Sequence, residues 1–186
     1  MNRTFAGIAF THDVKAAQIL QGSREKYARF EEAGEAPSGL SQREIEFIES
    51  RNSFYQATVS ETGWPYVQHR GGPAGFLKVL DANTLAFADF RGNRQYVSVG
   101  NLSNNDRIAL IMVDYPNRRR LKLLGHVRLI QADDGPTLIA RLAVSGYSAQ
   151  IERAFIIHVV AWDWNCSQHI TPRYTKQEIE VMAAVK

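Results

Sequence analysis

Apolar residues recur at helical spacing over residues 12–33, where Val14, Ala17, Leu20, Tyr27 and Phe30 fall on one side. This predicts a helix opened by His12-Asp13 and open to interruption at Gly22. Gly34, Pro37 and Gly39 then predict a loop. Ser41-Gln42-Arg43-Glu44 has the form of a capping box, in which the serine caps a helix start and the glutamate reaches back. The helix it opens is expected to run to about Ser50, with Ile45, Phe47 and Ile48 apolar.

From Phe54 the period changes to that of strands, with Phe54-Tyr55-Gln56-Ala57-Thr58-Val59-Ser60 rich in β-formers. Glu61-Thr62-Gly63 turns the chain, and further strands are expected at 64–70, 75–80 and 84–88, the last two joined at Asp81-Ala82-Asn83. Residues 96–102 read as a short helix, 107–115 as an apolar strand and 120–131 as a long one. In the long strand Leu121, Leu123, Val127 and Leu129 oppose Lys122, His126 and Arg128, but alternation fails at Leu124-Gly125, which predicts a bend or bulge. Asp133-Asp134-Gly135-Pro136 opens a helix to about Val144, and a second helical piece is expected at 148–151. A last strand covers 154–162, a polar and aromatic loop 163–172, and a terminal helix 175–185. Six or more antiparallel strands with hairpin connections and few helices predict a mainly β fold with flanking helices, a closed or split barrel. The expected layout is one domain over 1–186, with N-terminal helices at 12–50, the barrel core at 53–164, and a C-terminal loop and helix at 165–186.

Composition narrows the function classes. With 45% hydrophobic and 22% charged residues, the 186-residue chain reads as an ordinary globular protein. The net charge of +3 suits an anionic ligand without by itself indicating nucleic acid. The single cysteine, Cys166, excludes an intrachain disulfide and fits a reducing compartment. The first residues lack the apolar run of a signal peptide, and no stretch approaches the roughly 20 apolar residues of a membrane span. A cytoplasmic protein with no membrane partner is the expectation.

The candidate chemistry lies in two glycine-broken blocks. Arg91-Gly92-Asn93-Arg94-Gln95 follows a strand and opens a helix, so backbone N–H groups, arginine and amide donors could bind an anion there; a solvated loop with a capping asparagine is the plainer reading. His69-Arg70-Gly71-Gly72 could be a charged hairpin end, or a backbone approach to a planar ring with His69 and Arg70 at its polar edge. Lys78 lies on a strand beside Phe76 and Leu80, where it is either solvent-facing or paired with an anion. Arg118-Arg119-Arg120 with Lys122 is a solvated face or a phosphate or nucleic-acid patch, with Arg118, Arg120 and Lys122 on one side of the strand. The five histidines form no metal-ligand pattern beyond Cys166 and His169, a pair that reads as structural. Trp162 and Trp164 are core or interface residues, or else stack on a flat cofactor. No residue is assigned a catalytic role.

These blocks carry a family resemblance. Over about residues 41–173 the chain resembles the pyridoxamine 5′-phosphate oxidase-like flavoproteins, the FMN-binding split barrels, and especially their predicted flavin-nucleotide-binding group. The match rests on Trp64-Pro65-Tyr66-Val67-Gln68-His69-Arg70-Gly71-Gly72-Pro73, Phe90-Arg91-Gly92-Asn93-Arg94-Gln95-Tyr96, Arg119-Arg120-Leu121-Lys122-Leu123-Leu124-Gly125 and Asp163-Trp164-Asn165-Cys166. The resemblance implies a homodimer with two FMN sites at the subunit interface, and a small-molecule substrate or electron donor. Lys78 stands at the place of the family's phosphate-binding strand lysine. Asn93-Arg94-Gln95 stands where the oxidase has Ser-Arg-Lys, with only the arginine kept. Pro73 occupies the place of a further arginine, for which Arg70 could substitute from nearby. Arg120 aligns with an interface glutamine. The implied cofactor site is Gln68, His69, Arg70, Gly71, Lys78, Asn93, Arg94, Gln95, Arg120 and Trp164. The oxidase's substrate-binding tryptophan and Arg-x-His element have no counterpart, which points to an oxidoreductase acting on something other than pyridoxamine phosphate. The rival readings are a non-catalytic flavin or haem binder, a deazaflavin-using relative, and a small β-barrel that binds nucleic acid.

Overall fold

The structure is a computed structural model that describes residues 4–33, 39–164 and 167–184. Cys166, and Gly34 and Pro37 of the predicted loop, lie outside the described residues.

The chain opens with α1 (Phe5–Ala9), α2 (His12–Leu20) and α3 (Arg24–Ala33). The predicted helix over 12–33 is therefore two helices. They part at Gly22, whose φ of 68° ends the first helix without a side-chain clash. Helix α1 was not anticipated; Thr4 caps it by accepting from the Gly7 N–H at 3.0 Å. Helix α4 (Gln42–Glu49) carries the expected capping box, with the Ser41 N–H donating to Glu44 Oε2 at 3.1 Å. It buries Phe47 and Ile48.

Seven antiparallel strands follow: β1 (Ser53–Val59), β2 (Pro65–Gly71), β3 (Leu77–Asp81), β4 (Thr84–Phe90), β5 (Arg107–Asp114), β6 (Arg119–Gln131) and β7 (Ile151–Trp164). Two helices interrupt them, α5 (Val97–Asn104) and α6 (Pro136–Leu142), and α7 (Lys176–Ala184) comes last. The strands form one sheet in the order β2-β1-β5-β6-β7-β4-β3. β2 is an edge strand, which tolerates Pro65 at its start. Among the described residues no helix is long and apolar enough to cross a membrane.

The sheet curls back on itself. Three strands separate β1 from β4 in the sheet, yet the rings of Phe54 and Phe87 lie 5.2 Å apart. Phe76 stacks on Phe54 and Phe155 on Phe87, with centroids at 5.6 and 4.7 Å. These four buried rings, with Met112, Leu121 and Leu123, fill the interior. Strand β4 is buried over its whole middle, because α6 covers its outer side through Leu142 against Ala86, Ala88 and Ala154. Small side chains on that face let the helix approach. The predicted bend is real: the β6–β7 register shifts at Leu124/Gly125. A Cβ on Gly125 would lie 2.6 Å from the His158 carbonyl oxygen, so only glycine fits the bulge.

One helical prediction is corrected. Residues 148–150 are irregular, and Ile151 already pairs with Phe90 in the sheet. The Gln150 carbonyl accepts from the Arg91 N–H at 2.8 Å, so long-range pairing overrides the local propensity. Strand β7 is accordingly longer than the predicted 154–162.

Candidate functional site

Where the curled sheet fails to close, β2 faces the end of β4 without a ladder between them. A side-chain contact spans the gap: Arg70 Nη1 donates to Asp89 Oδ1 at 2.6 Å. Arg153 on β7 donates to the other oxygen, Oδ2, at 2.7 Å. Asp89 is 4% exposed, so two guanidinium groups neutralise one buried carboxylate. Burial lowers the proton affinity of the Arg70 guanidinium, and Asp89 opposes that effect. Arg70 also lies over the rings of Phe155 and Phe87, at 5.2 and 5.8 Å.

Above this floor opens a cleft of about 360 Å³, large enough for a small ligand. Its walls are β2 from Tyr66 to Gly71, the end of β4, the loop after it, and the start of α5. Alternation on β2 turns Tyr66, Gln68 and Arg70 partly inward, with His69 and Gly71 exposed. Gln68 Oε1 accepts from the Ser98 hydroxyl at 2.9 Å, tying β2 to the first turn of α5. His69 packs edge-on to Tyr55.

The loop from Arg91 to Tyr96 is the cleft's unusual part. Arg94 and Tyr96 both adopt left-handed backbone, with φ of 62° and 55°. Such conformations cost non-glycine residues roughly 1–2 kcal/mol each and tend to sit at functional positions. The Asn93 side chain accepts from the Gln95 N–H at 3.2 Å, which turns the loop. Tyr96 stands at the N-cap of α5 without a side-chain cap bond, so its side chain does not occupy the first-turn N–H groups. Arg91 Nε donates to Glu152 Oε1 at 3.0 Å, the Tyr96 hydroxyl donates to the same oxygen at 3.0 Å, and Arg94 Nε donates to the Tyr96 hydroxyl at 3.3 Å. The bond from Arg91 is the main reason that the Glu152 carboxyl is held below its ordinary range.

Seven of the ten residues singled out from sequence meet in this cleft: Gln68, His69, Arg70, Gly71, Asn93, Arg94 and Gln95. Three lie elsewhere on the protomer. Lys78 lines a shallow groove with Glu49 and Arg141. Arg120 lies in another groove with Tyr55, Tyr115, His169 and Arg173. Trp164 packs edge-on to Phe47 at 4.8 Å, under the Arg43 guanidinium, and its indole N–H donates to Glu44 Oε1 at 2.6 Å. The capping glutamate of α4 thus anchors the end of β7. The basic run 118–122 is dispersed, with Arg119 bonded to Asp114 and Lys122 to Asp163. Among the described residues no group of three or more His, Cys, Asp or Glu could hold a metal ion.

Sequence reasoning missed Asp89, Glu152, Arg153 and Tyr96. Glu152 lies 61 residues from Arg91 and Arg153 lies 64 from Asp89, so no local pattern joins them.

Comparison with known proteins bears on the fold and family. Among solved structures, HupZ from Group A Streptococcus matches with a TM-score of 0.55 at 16% identity, covering 73% of this chain and 99% of that one. A putative pyridoxamine 5′-phosphate oxidase from Lactobacillus delbrueckii matches with a TM-score of 0.53 at 17% identity, covering 68% and 95%. An FMN-binding protein from Syntrophomonas wolfei matches with a TM-score of 0.51 at 10% identity, covering 80% and 97%. These likenesses establish the split-barrel fold. No curated protein matches the chain. The sequence profile described as pyridoxamine 5′-phosphate oxidase matches residues 40–163, two thirds of the chain, from the residue before the α4 capping box almost to the end of β7; the protein belongs to the pyridoxamine 5′-phosphate oxidase family.

Proposed function

We propose that the protein is an FMN-binding flavoprotein and an oxidoreductase whose substrate is not pyridoxamine phosphate. One observation carries this reading. The left-handed loop from Arg91 to Tyr96 places two arginines and an uncapped helix start on one cleft in a chain of this family. That is the donor set a phosphomonoester requires. The residues present fit the cofactor: Arg91 and Arg94 bond only through Nε among the described residues, which leaves their terminal nitrogens for phosphate oxygens. The buried Nε of Arg70, which lines the cleft, is also without a partner among the described residues. The FMN-binding neighbour from Syntrophomonas wolfei supports the same cofactor.

When bound, the flavin supplies the hydride chemistry. The chain's own residues bind and orient it. Arg94 grips the phosphate with Arg91 beside it, and Asn93 and Gln95 add neutral donors. Arg70 and His69 hold positive or donor character along the β2 wall, where negative charge on a reduced ring would be stabilised.

The proposed assembly is a homodimer. On the outer sheet face Tyr55, Ala57, Val67, Ala109, Ile111 and Leu124 border an apolar groove, and Val67 is 63% exposed. A twin seated there would bring groups such as Arg120 toward the partner's cleft. Light scattering of cofactor-loaded protein at micromolar concentration should give twice the chain mass; a strict monomer would refute the assembly.

The deciding experiment is the absorbance spectrum of the purified protein, followed by titration of the apo-protein. Arg94→Ala should weaken FMN about 10- to 150-fold, as expected for losing a charge-assisted bond. Riboflavin, which lacks the phosphate, should be nearly indifferent. Arg94→Lys should recover only part of the loss because the planar fork is gone. Equal losses for both ligands would remove Arg94 from the phosphate.

A further inference from the structure

The cleft contains a carboxylate that an anion site would ordinarily avoid. Glu152 stands at the start of β7 with only 11% of its side chain exposed, and it lines the same cleft as Arg91 and Arg94. Its bonds explain its presence. Oε1 accepts from Arg91 Nε and from the Tyr96 hydroxyl, each at 3.0 Å, and Oε2 accepts from Arg153 Nη2 at 3.3 Å. The Tyr96 hydroxyl in turn accepts from Arg94 Nε at 3.3 Å. Both loop arginines are thus held by the rear edge of the guanidinium, one directly and one through the tyrosine. The terminal nitrogens of both remain without partners among the described residues. The Arg153 guanidinium also lies 5.0 Å from the centre of the Tyr96 ring, which holds the ring in place.

We propose that Glu152 and Tyr96 are positioning residues that aim the guanidinium forks of Arg91 and Arg94 at a phosphomonoester group in the cleft. The inference rests on the phosphate reading of this cleft and extends it to residues that do not themselves touch the ligand. Left-handed backbone at Arg94 and Tyr96 persists only where the surroundings over-determine it. The Glu152–Tyr96 bond supplies that constraint from β7, on the far side of the loop. An arginine pair oriented in advance loses less freedom on binding, so the anion is held more tightly. The bond from Arg91 holds the Glu152 carboxyl below its ordinary range.

Tyr96→Phe tests the inference with little risk to the fold, because it keeps the ring and removes only the bridging hydroxyl. Apo-protein is titrated with FMN, riboflavin and inorganic phosphate, and the phosphate is read by amide shifts of residues 94–99. Tyr96→Phe should weaken FMN about 3- to 10-fold and Glu152→Gln about 10-fold, with riboflavin unchanged within twofold. In an Arg94→Ala background Tyr96→Phe should add nothing, since it acts through that arginine. An unchanged FMN affinity in Tyr96→Phe, full additivity with Arg94→Ala, or an equal loss of riboflavin would overturn the proposal. So would tighter FMN binding in Glu152→Gln, which would make Glu152 a competitor of the ligand. If the wild-type protein bound FMN no better than riboflavin, the flavin-phosphate reading would fall. The positioning role would then stand only if inorganic phosphate still shifted the loop amides and both variants weakened that response. No response to phosphate would overturn both.

Discussion

Two buried aspartates in this molecule have the same formal surroundings and opposite consequences. Asp114 and Asp89 are 2% and 4% exposed, and each sits between two arginines. Asp114 closes the β5–β6 turn. It accepts from the Asn117 backbone and amide at 3.2 and 3.0 Å and from Arg119 at 2.8 Å, all within five residues, and Arg51 adds charge at 3.6 Å. Burial pushes its carboxyl up, but the bonds from Arg119 and Asn117 and the Arg51 charge outweigh this and hold it below the ordinary range. Asp89 takes its arginines from 19 and 64 residues away and joins strands that no ladder joins. The first cluster locks a turn largely from within the local chain, and the second is a staple across an open seam. Unpartnered nitrogen does not separate them, since each leaves buried arginine Nε atoms without partners among the described residues, Arg51 in the first and Arg70 and Arg153 in the second. Chemical equivalence therefore does not make functional equivalence; what differs is whether the local chain can satisfy the charge.

Breaking the staple should cost most. Asp89→Asn leaves Arg70 buried without a counter-charge and Arg153 with Glu152 alone, and such losses run to about 3–5 kcal/mol. Urea unfolding should show the drop, and flavin affinity should fall with it as the seam loosens. Asp114→Asn should cost less, about 1–3 kcal/mol, because the Arg119 side chain is 49% exposed and can turn to water. A reversal of that order would remove the distinction drawn between the two sites.

Acid sharpens the comparison. Because the folded-state pKa of Asp114 is depressed, its contribution is complete above the unfolded value of about 3.9 and is lost as pH falls through the lower folded value. The stability gap between wild type and Asp114→Asn should thus be constant at neutral pH and shrink below about pH 4. A gap that persists undiminished to pH 2 would contradict the assignment. The smallest effect is expected for Arg119→Ala, about 1 kcal/mol, since the arginine is half exposed and Asn117 and Arg51 remain on the buried carboxylate; thermal unfolding suffices to measure it.

Much of the barrel was legible because its signals are local. The alternation in residues 120–131 and its failure at Gly125 located β6 and its bulge. Ser41 and Glu44 marked the start of α4. The same glutamate shows the limit of local signals: its bond to the Trp164 indole joins residues 120 apart, and no pattern near either announces it. Likewise Lys78 and Arg120 stood out in the sequence and took their cofactor roles from the resemblance, and on the folded protomer each lines a groove away from the cleft.

Hydrophobic period, turn residues and caps act within a few residues, so the sequence by itself determined the seven strands, most of the helices and the glycine-and-arginine loops at their ends. Periodicity cannot say which distant side chains meet once the sheet curls. Only the tertiary structure decided that Arg70 would spend its charge on Asp89, that Glu152 would stand behind Arg91 and Tyr96, and that Trp164 would lock a helix. Buried charges must find partners wherever the chain brings them, and curling the sheet is what brought these together.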